Sequence, residues 1–279
     1  MSSALFESAG QDRWVPTELS RGPWDPRACH GGPVSALLAR AVEQTGVHDT
    51  SASADDDWQI ARLTVELTRP VPVGHPLDLR PEVERGGRRI SLVAAVLTDD
   101  GTEVARVRAL RIRRAAFPSP VDTELPAPDA PGTPTGGSMQ RVVWAVDDHV
   151  AYHKDACEHR FTEGGWDHLG PVSVWIRLLV PVVEGEEPSG VQRVAAAADF
   201  GNGVSAALPF EEFTFINPDL TVHLQRPPTG EWVGMRSFSH YGTTDAERMS
   251  GGAGMAESAL YDTDGRIGRS VQSLLVDPR

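Results

Sequence analysis

Leu63–Pro70, LTVELTRP, returns as Leu220–Pro227, LTVHLQRP, with six of eight positions identical. In the first copy Leu63, Val65 and Leu67 alternate with Thr64, Glu66 and Thr68, the period-two pattern of a half-buried strand. Farther on, Val96–Leu110 (VLTDDGTEVARVRAL) and Leu260–Leu274 (LYDTDGRIGRSVQSL) each hold an Asp-Gly turn followed by a closing strand. The turns are Asp100-Gly101 and Asp264-Gly265, and aligning them sets Gln272 opposite Arg108. Two collinear matches indicate an internal duplication, which governs how every other segment is read.

Each half then resolves into one helix and four antiparallel strands. In the first, the turn-rich Arg21–Pro33 leads into a helix. Pro33 fits its first turn, Val34, Leu37, Leu38 and Ala41 form its apolar face, and Gly46 stops it. Strands are expected at Ile60–Thr68, Leu77–Arg85, Ile90–Thr98 and Glu103–Arg113. In the second half, early strands are expected at Val142–Val146, Cys157–Thr162 and Val172–Val180. Ser189 is the candidate N-cap of a helix over Val191–Phe200, ended by Gly201 or Gly203. Four strands follow at Thr214–Gln225, Trp232–Tyr241, Gly252–Asp262 and Ile267–Val276. His48–Asp57 reads as a polar loop. Six prolines and three glycines make Ala116–Met139 an extended linker without ladder or helix. The fold class is α+β, with units at 1–115 and 140–279 joined by that linker at 116–139. One such unit cannot close its own core; two sharing a continuous sheet can bury both helices.

The chain has 279 residues, 26 basic and 39 acidic, for a net charge of -13, against the basic footprint of a nucleic-acid protein. Two cysteines, Cys29 and Cys157, give neither a disulfide framework nor metal-site spacing. There is no signal pattern and no apolar run of membrane-spanning length, so a cytoplasmic location is expected, with no membrane partner. Serine-elbow, zinc, P-loop and dinucleotide signatures are absent, so no cofactor or metal is expected.

Four places carry candidate chemistry. Asp199 ends the apolar run RVAAAADFG, where a carboxylate needs a partner or a purpose; capping the last helical turn is the alternative. Gln272 interrupts the closing strand, and Asn217 opens the second repeat strand before Pro218, where turn chemistry is the commoner use. His30-Gly31-Gly32 lies at a helix start, where a glycine pair lets a ligand approach backbone N–H groups. Cys29 and His30 are neighbours in sequence and seldom face each other.

In their order and spacing, Gly31-Gly32, Arg69-Pro70, Trp175-Ile176-Arg177, Arg226-Pro227 and Ser270-Val271-Gln272 resemble the double-hotdog thioesterases of the acyl-CoA thioesterase II type. The resemblance implies two units, each a helix wrapped in a curved antiparallel sheet, and hydrolysis of acyl-CoA to free acid and coenzyme A. It implies that Asp199, the residue at Asn217 and Gln272 hold the attacking water. Asn217 stands where the family has a hydroxyl, though an amide also donates and accepts. It further implies substrate contact at His30, Gly31 and Gly32, an oxyanion site at a helix start and a homo-oligomer. Arg88, Arg89, Arg111, Arg113 or Arg114 are candidates for the coenzyme A phosphates. A hotdog enoyl-CoA hydratase is a competing reading, but only Asn202 follows Asp199, without its Pro-x-His; a non-catalytic acyl-CoA or acyl-carrier binder is the other.

Overall fold

A computed structural model describes residues 3–46, 58–115, 130–142, 149–245 and 248–279. The polar loop expected at 48–57, the first part of the linker and most of the strand expected at 142–146 lie outside the described residues.

The first half contains β1 (Phe6–Ser8), β2 (Arg13–Pro16), α1 (Gly31–Gln44), β3 (Trp58–Leu67), β4 (Leu77–Arg85), β5 (Ile90–Asp99) and β6 (Thr102–Arg113). The second contains β7 (Ser138–Met139), β8 (Cys157–Glu163), β9 (Val172–Leu178), α2 (Gly190–Ala198), α3 (Gly201–Ser205), β10 (Phe213–Ile216), β11 (Asp219–Leu224), β12 (Trp232–Asp245), β13 (Arg248–Asp262) and β14 (Gly265–Pro278). Among the described residues all fourteen strands form one sheet, with β4-β5-β6-β3 continuing directly into β11-β14-β13-β12.

The repeated stretch is the seam. β3 pairs antiparallel with β11, and Thr64 lies opposite Thr221, the same position in the two copies. A strand that meets its own duplicate at equivalent residues lies across a local two-fold axis, the isologous geometry of a symmetric dimer held here in one chain. For four strands outward from the seam the order is equivalent on the two sides, β3-β6-β5-β4 and β11-β14-β13-β12. The repeated arginines also act alike: Arg69 donates to the Glu103 carbonyl (2.8 Å) and Arg226 to the Gly265 carbonyl (3.1 Å). Each therefore ties the repeat strand to the start of its own closing strand.

Pairing corrects one register. Thr64 faces Arg108 across the β3–β6 ladder, whereas Thr221 faces Val271 across β11–β14. Arg108 is therefore the counterpart of Val271, and Gln272 corresponds to Ala109, not Arg108. Burial agrees: Ala109 and Gln272 are both enclosed, while Arg108 is on the outer face with Glu84. The two Asp-Gly turns are offset by one residue, because the first two-residue loop ends before Thr102 and the second before Gly265.

A second correction concerns Thr214–Gln225. It forms two strands, β10 and β11, parted at Asn217-Pro218, and both pair with β14. Proline supplies no ladder N–H, and Pro218 occupies the place where the first copy has a bulge between Ile60 and Arg62. The linker also departs from the expected form. Pro134–Gly136 makes one 3₁₀ turn, Ser138–Met139 pairs with β8, and the Pro131 carbonyl accepts from Trp175 Nε1 (2.8 Å).

α1 and α2 pack against each other inside the sheet. Their N-cap residues are His30 and Ser189. Gly32, at the start of α1, lies so near the Ala196 carbonyl that a Cβ would fall 2.6 Å from it. Ser189 donates to Glu43 near the far end of α1 (2.7 Å). Each helix start therefore meets the other's end. Close approach explains the alanine run Ala195–Ala198, and enclosure on all sides explains why Ser35, Ala36 and Ala39 are as buried as the Val34–Ala41 stripe.

Candidate functional site

The helix expected over Val191–Phe200 instead breaks at Asp199-Phe200, and α3 starts afresh at Gly201. Asp199 caps the end of α2, so its side chain leaves the helical array and crosses to α1. There Oδ2 lies 2.6 Å from His30 Nδ1. Oδ1 accepts from Asn217 Nδ2 (2.7 Å) and Gln272 Nε2 (3.3 Å). Gly32 N is 3.2 Å from His30 Nδ1. A nitrogen that donates to Asp199 at 2.6 Å cannot also accept there, so the Gly32 N–H is better assigned to the carboxylate.

Gly31 is required by this contact. A Cβ on it would fall 2.7 Å from Asp199 Oδ1 and 2.8 Å from Oδ2. The anion at the α1 start is thus the chain's own carboxylate, in the setting a helix N-terminus favours. Gly31 and Gly32 lie behind Asp199, while His30 is on the cavity wall.

The Asp199 side chain is 1% exposed. Burial pushes its carboxyl up, but the His30 charge and hydrogen bonds from His30, Asn217 and Gly32 outweigh that and hold it below the usual carboxylate range. Removing one donor should weaken this effect. For Asn217→Ala the acid limb of the pH–rate profile should move to higher pH; an unmoved limb would show that Asn217 does not stabilise the ionised form.

Gln272 braces the acid. Its Nε2 donates to both the Asp199 main-chain oxygen (3.1 Å) and Oδ1, and its Oε1 accepts from Asn202 N (3.2 Å). Both amide protons are thereby used, and the side chain is fully buried. Asn202 is held in turn by Ser239 Oγ and Tyr241 OH, each donating to its Oδ1 at 3.1 Å.

A cavity of ≈ 50 Å³ opens beside Asp199. It is lined by His30, Asn217, Asn202 and Gly203 and by an aromatic wall that includes Trp166, Phe200 and Phe215. A buried water needs roughly 10–15 Å³ and several polar partners, so the cavity admits water beside the carboxylate. Sequence reasoning missed the aromatic wall, whose residues come from separate segments with no common spacing. Among the described residues no cluster of acid, histidine and cysteine side chains could hold a metal. Burial pushes the Cys29 thiol well up, so it is no thiolate nucleophile. Arg111 is 5% exposed and donates to the Thr45 carbonyl (2.8 Å), which removes it from the candidates for phosphate contact.

The mirror-related corner is arranged differently. Glu43 accepts from Ser189 Oγ and from Gln192 Nε2 (3.0 Å), and Gln272 has only Ala109 as its counterpart. Burial, opposed by these hydrogen bonds and by Arg111, pushes the Glu43 carboxyl up.

Residues 20–112 match the family described as the acyl-CoA thioesterase N-terminal domain, and residues 121–276 the acyl-CoA thioesterase C-terminal domain. No curated protein matches the chain. Among solved structures, a candidate thioesterase from Novosphingobium aromaticivorans is 20% identical, with 97% of this chain and 98% of that one covered at a TM-score of 0.67. A hot dog protein of unknown function from Alicyclobacillus acidocaldarius is 17% identical over 98% and 95%, with a TM-score of 0.67. An acyl-CoA thioesterase II from Mycobacterium marinum is 14% identical over 98% and 96%, with a TM-score of 0.62. The likeness runs through both halves, and the fold is a double hotdog.

Proposed function

Because the chain belongs to the acyl-CoA thioesterase family and is a thioester hydrolase, we propose that it cleaves acyl-CoA with a water aligned by Asp199 and Asn217, while Gln272 positions the acid. The observation that carries this reading is a buried carboxylate, held by His30, Asn217 and Gln272, on the wall of a cavity large enough for water.

Asp199 accepts a proton as the water oxygen bonds to the thioester carbonyl carbon. The carbonyl π pair moves onto oxygen, where His30, on the cavity wall, meets the developing charge. When the tetrahedral intermediate collapses, the C–S bond breaks and the thiolate leaves. Asp199 returns the proton to sulfur, giving a free acid and coenzyme A. Asn217 spends one N–H on Asp199; its amide oxygen is an acceptor for the water, a role an amide can fill in place of a hydroxyl. Gln272 has no proton to spare for the water, which makes it a positioning residue.

No described helix is long and apolar enough to cross a membrane. The test is thiol release from acyl-CoAs of several chain lengths, with 2-enoyl-CoA hydration run in parallel. Thiol release without hydration is expected. Hydration alone, or tight binding with neither reaction, would overturn the proposal.

A further inference from the structure

A cavity of ≈ 440 Å³ shares no residue with the one beside Asp199. It lies on the segment that joins β9 to α2, and its lining includes Leu179, Val180, Glu186, Glu187 and Arg193, with Glu231 from the turn before β12. Arg193, in the first turn of α2, is the one basic residue of this lining, and its side chain is 7% exposed. A buried guanidinium is costly unless its donors are met. It offers five N–H donors in a planar fork, yet its only protein acceptor is one carboxylate oxygen of Glu187, at Nη2. Nε and Nη1 have no acceptor among the described residues, and neither is enclosed by protein, so both stay open to the cavity. The Glu187 side chain is 82% exposed and therefore reaches the buried fork from the solvent side. The other acids of the wall have bases of their own. Glu186 accepts from Arg40 (2.6 and 2.5 Å), and Glu231 lies 3.6 Å from Arg177.

We propose that this cavity binds a small monocarboxylate, whose two oxygens take the Arg193 fork in place of Glu187 and whose carbon chain lies along Leu179, Val180 and Pro181. A guanidinium matches a carboxylate in two parallel hydrogen bonds, which one oxygen of Glu187 does not supply. The displaced Glu187 turns back into water at little cost, because an exposed ion pair contributes little. Leu179 is half exposed on this wall and gives a short aliphatic chain an apolar surface. Glu186 and Glu231 repel a phosphate dianion more than a singly charged acid. The ligand class is that of the free acid a thioester hydrolase releases, but the site is separate from the hydrolytic one. Its test is binding without turnover, so failure of either reading leaves the other standing.

Butyrate is titrated by calorimetry into the full chain, in a buffer free of carboxylates and phosphate, with inorganic phosphate and butylamine as comparison ligands. Saturable binding of butyrate is expected, tighter than that of phosphate and without binding of butylamine. Arg193→Gln should weaken it about tenfold or more, the scale of a hydrogen bond to a charged group. Arg193 lines no part of the cavity beside Asp199, so this loss assigns the signal to the second site. Melting temperatures report whether the variants keep the fold. Because Arg193 is buried, the exposed Glu187→Gln supplies an independent test: it removes the built-in competitor and should tighten butyrate binding up to about fivefold, the scale of an exposed ion pair. Should Arg193→Gln fail to fold, Glu187→Gln decides alone. No saturable butyrate binding in wild type and Glu187→Gln, an affinity unchanged by either substitution, or preference for phosphate or butylamine would overturn the assignment.

Discussion

Asp199→Asn should slow thiol release about 10²–10⁴-fold, the contribution typical of a positioned general base. The substitution preserves shape, so Asn217 and Gln272 can still donate to the remaining carbonyl oxygen. It removes the charge that faces His30 at 2.6 Å and the site that accepts a proton from water. A thiol-trapping assay measures kcat, and the melting temperature reports whether the fold survives. Equal rates in the two proteins would remove Asp199 from the chemistry. A rise in KM with kcat unchanged would mean that the carboxylate only shapes the cavity. The pH dependence has a fixed sign. Because the carboxyl is held below 3.8, the base form persists above that value, and the acid limb due to Asp199 should appear below about pH 4.

Asp262→Ala should cost about 1–3 kcal/mol of stability, the range for leaving buried donors without their partner. The Asp262 side chain is 1% exposed. It holds Arg226 in a two-toothed contact and also accepts from Thr229 N (3.0 Å), Thr229 Oγ1 (3.1 Å) and Asp264 N (2.9 Å). Removing it takes the carboxylate from a guanidinium that keeps only carbonyl acceptors and leaves two backbone donors unpaired at the turn that starts β14, the strand that carries Gln272. Denaturant midpoints of wild type and variant measure the loss. Burial pushes the Asp262 carboxyl up, but Arg226 and the backbone donors outweigh it, so its folded value lies below the ordinary 3.8. The stability it contributes is then fully present above about pH 4 and fades as pH falls through the folded value. The gap between wild type and variant should narrow in acid. A constant gap would assign the cost to packing instead of charge.

Local residue pattern determined the helix starts at His30 and Ser189, the alternating strands and the duplication, because turn chemistry, capping and hydrophobic period act over a few residues. The pair of eight-residue repeats predicted a shared sheet, and β3 does lie against β11 at equivalent positions. Asp199 was legible as an anomaly, an acid ending an alanine run, since burial of a charge demands compensation. Its partners were harder to read. Nothing local says that His30, 169 positions earlier, supplies the closest contact, because that contact exists only once α1 and α2 lie with each start against the other's end.

Tertiary structure alone decided three matters. The register of the closing strands came from ladder pairing: composition favoured matching the two Asp-Gly turns, whereas burial of Ala109 and Gln272 on the inner face outweighs it, since a one-residue slip would turn every side chain to the other face. The strand break at Asn217-Pro218 came from the missing proline N–H, and it puts Asn217 at a turn that faces Asp199. The cavity walls came from convergence of distant aromatic and histidine side chains, which no spacing along the chain records.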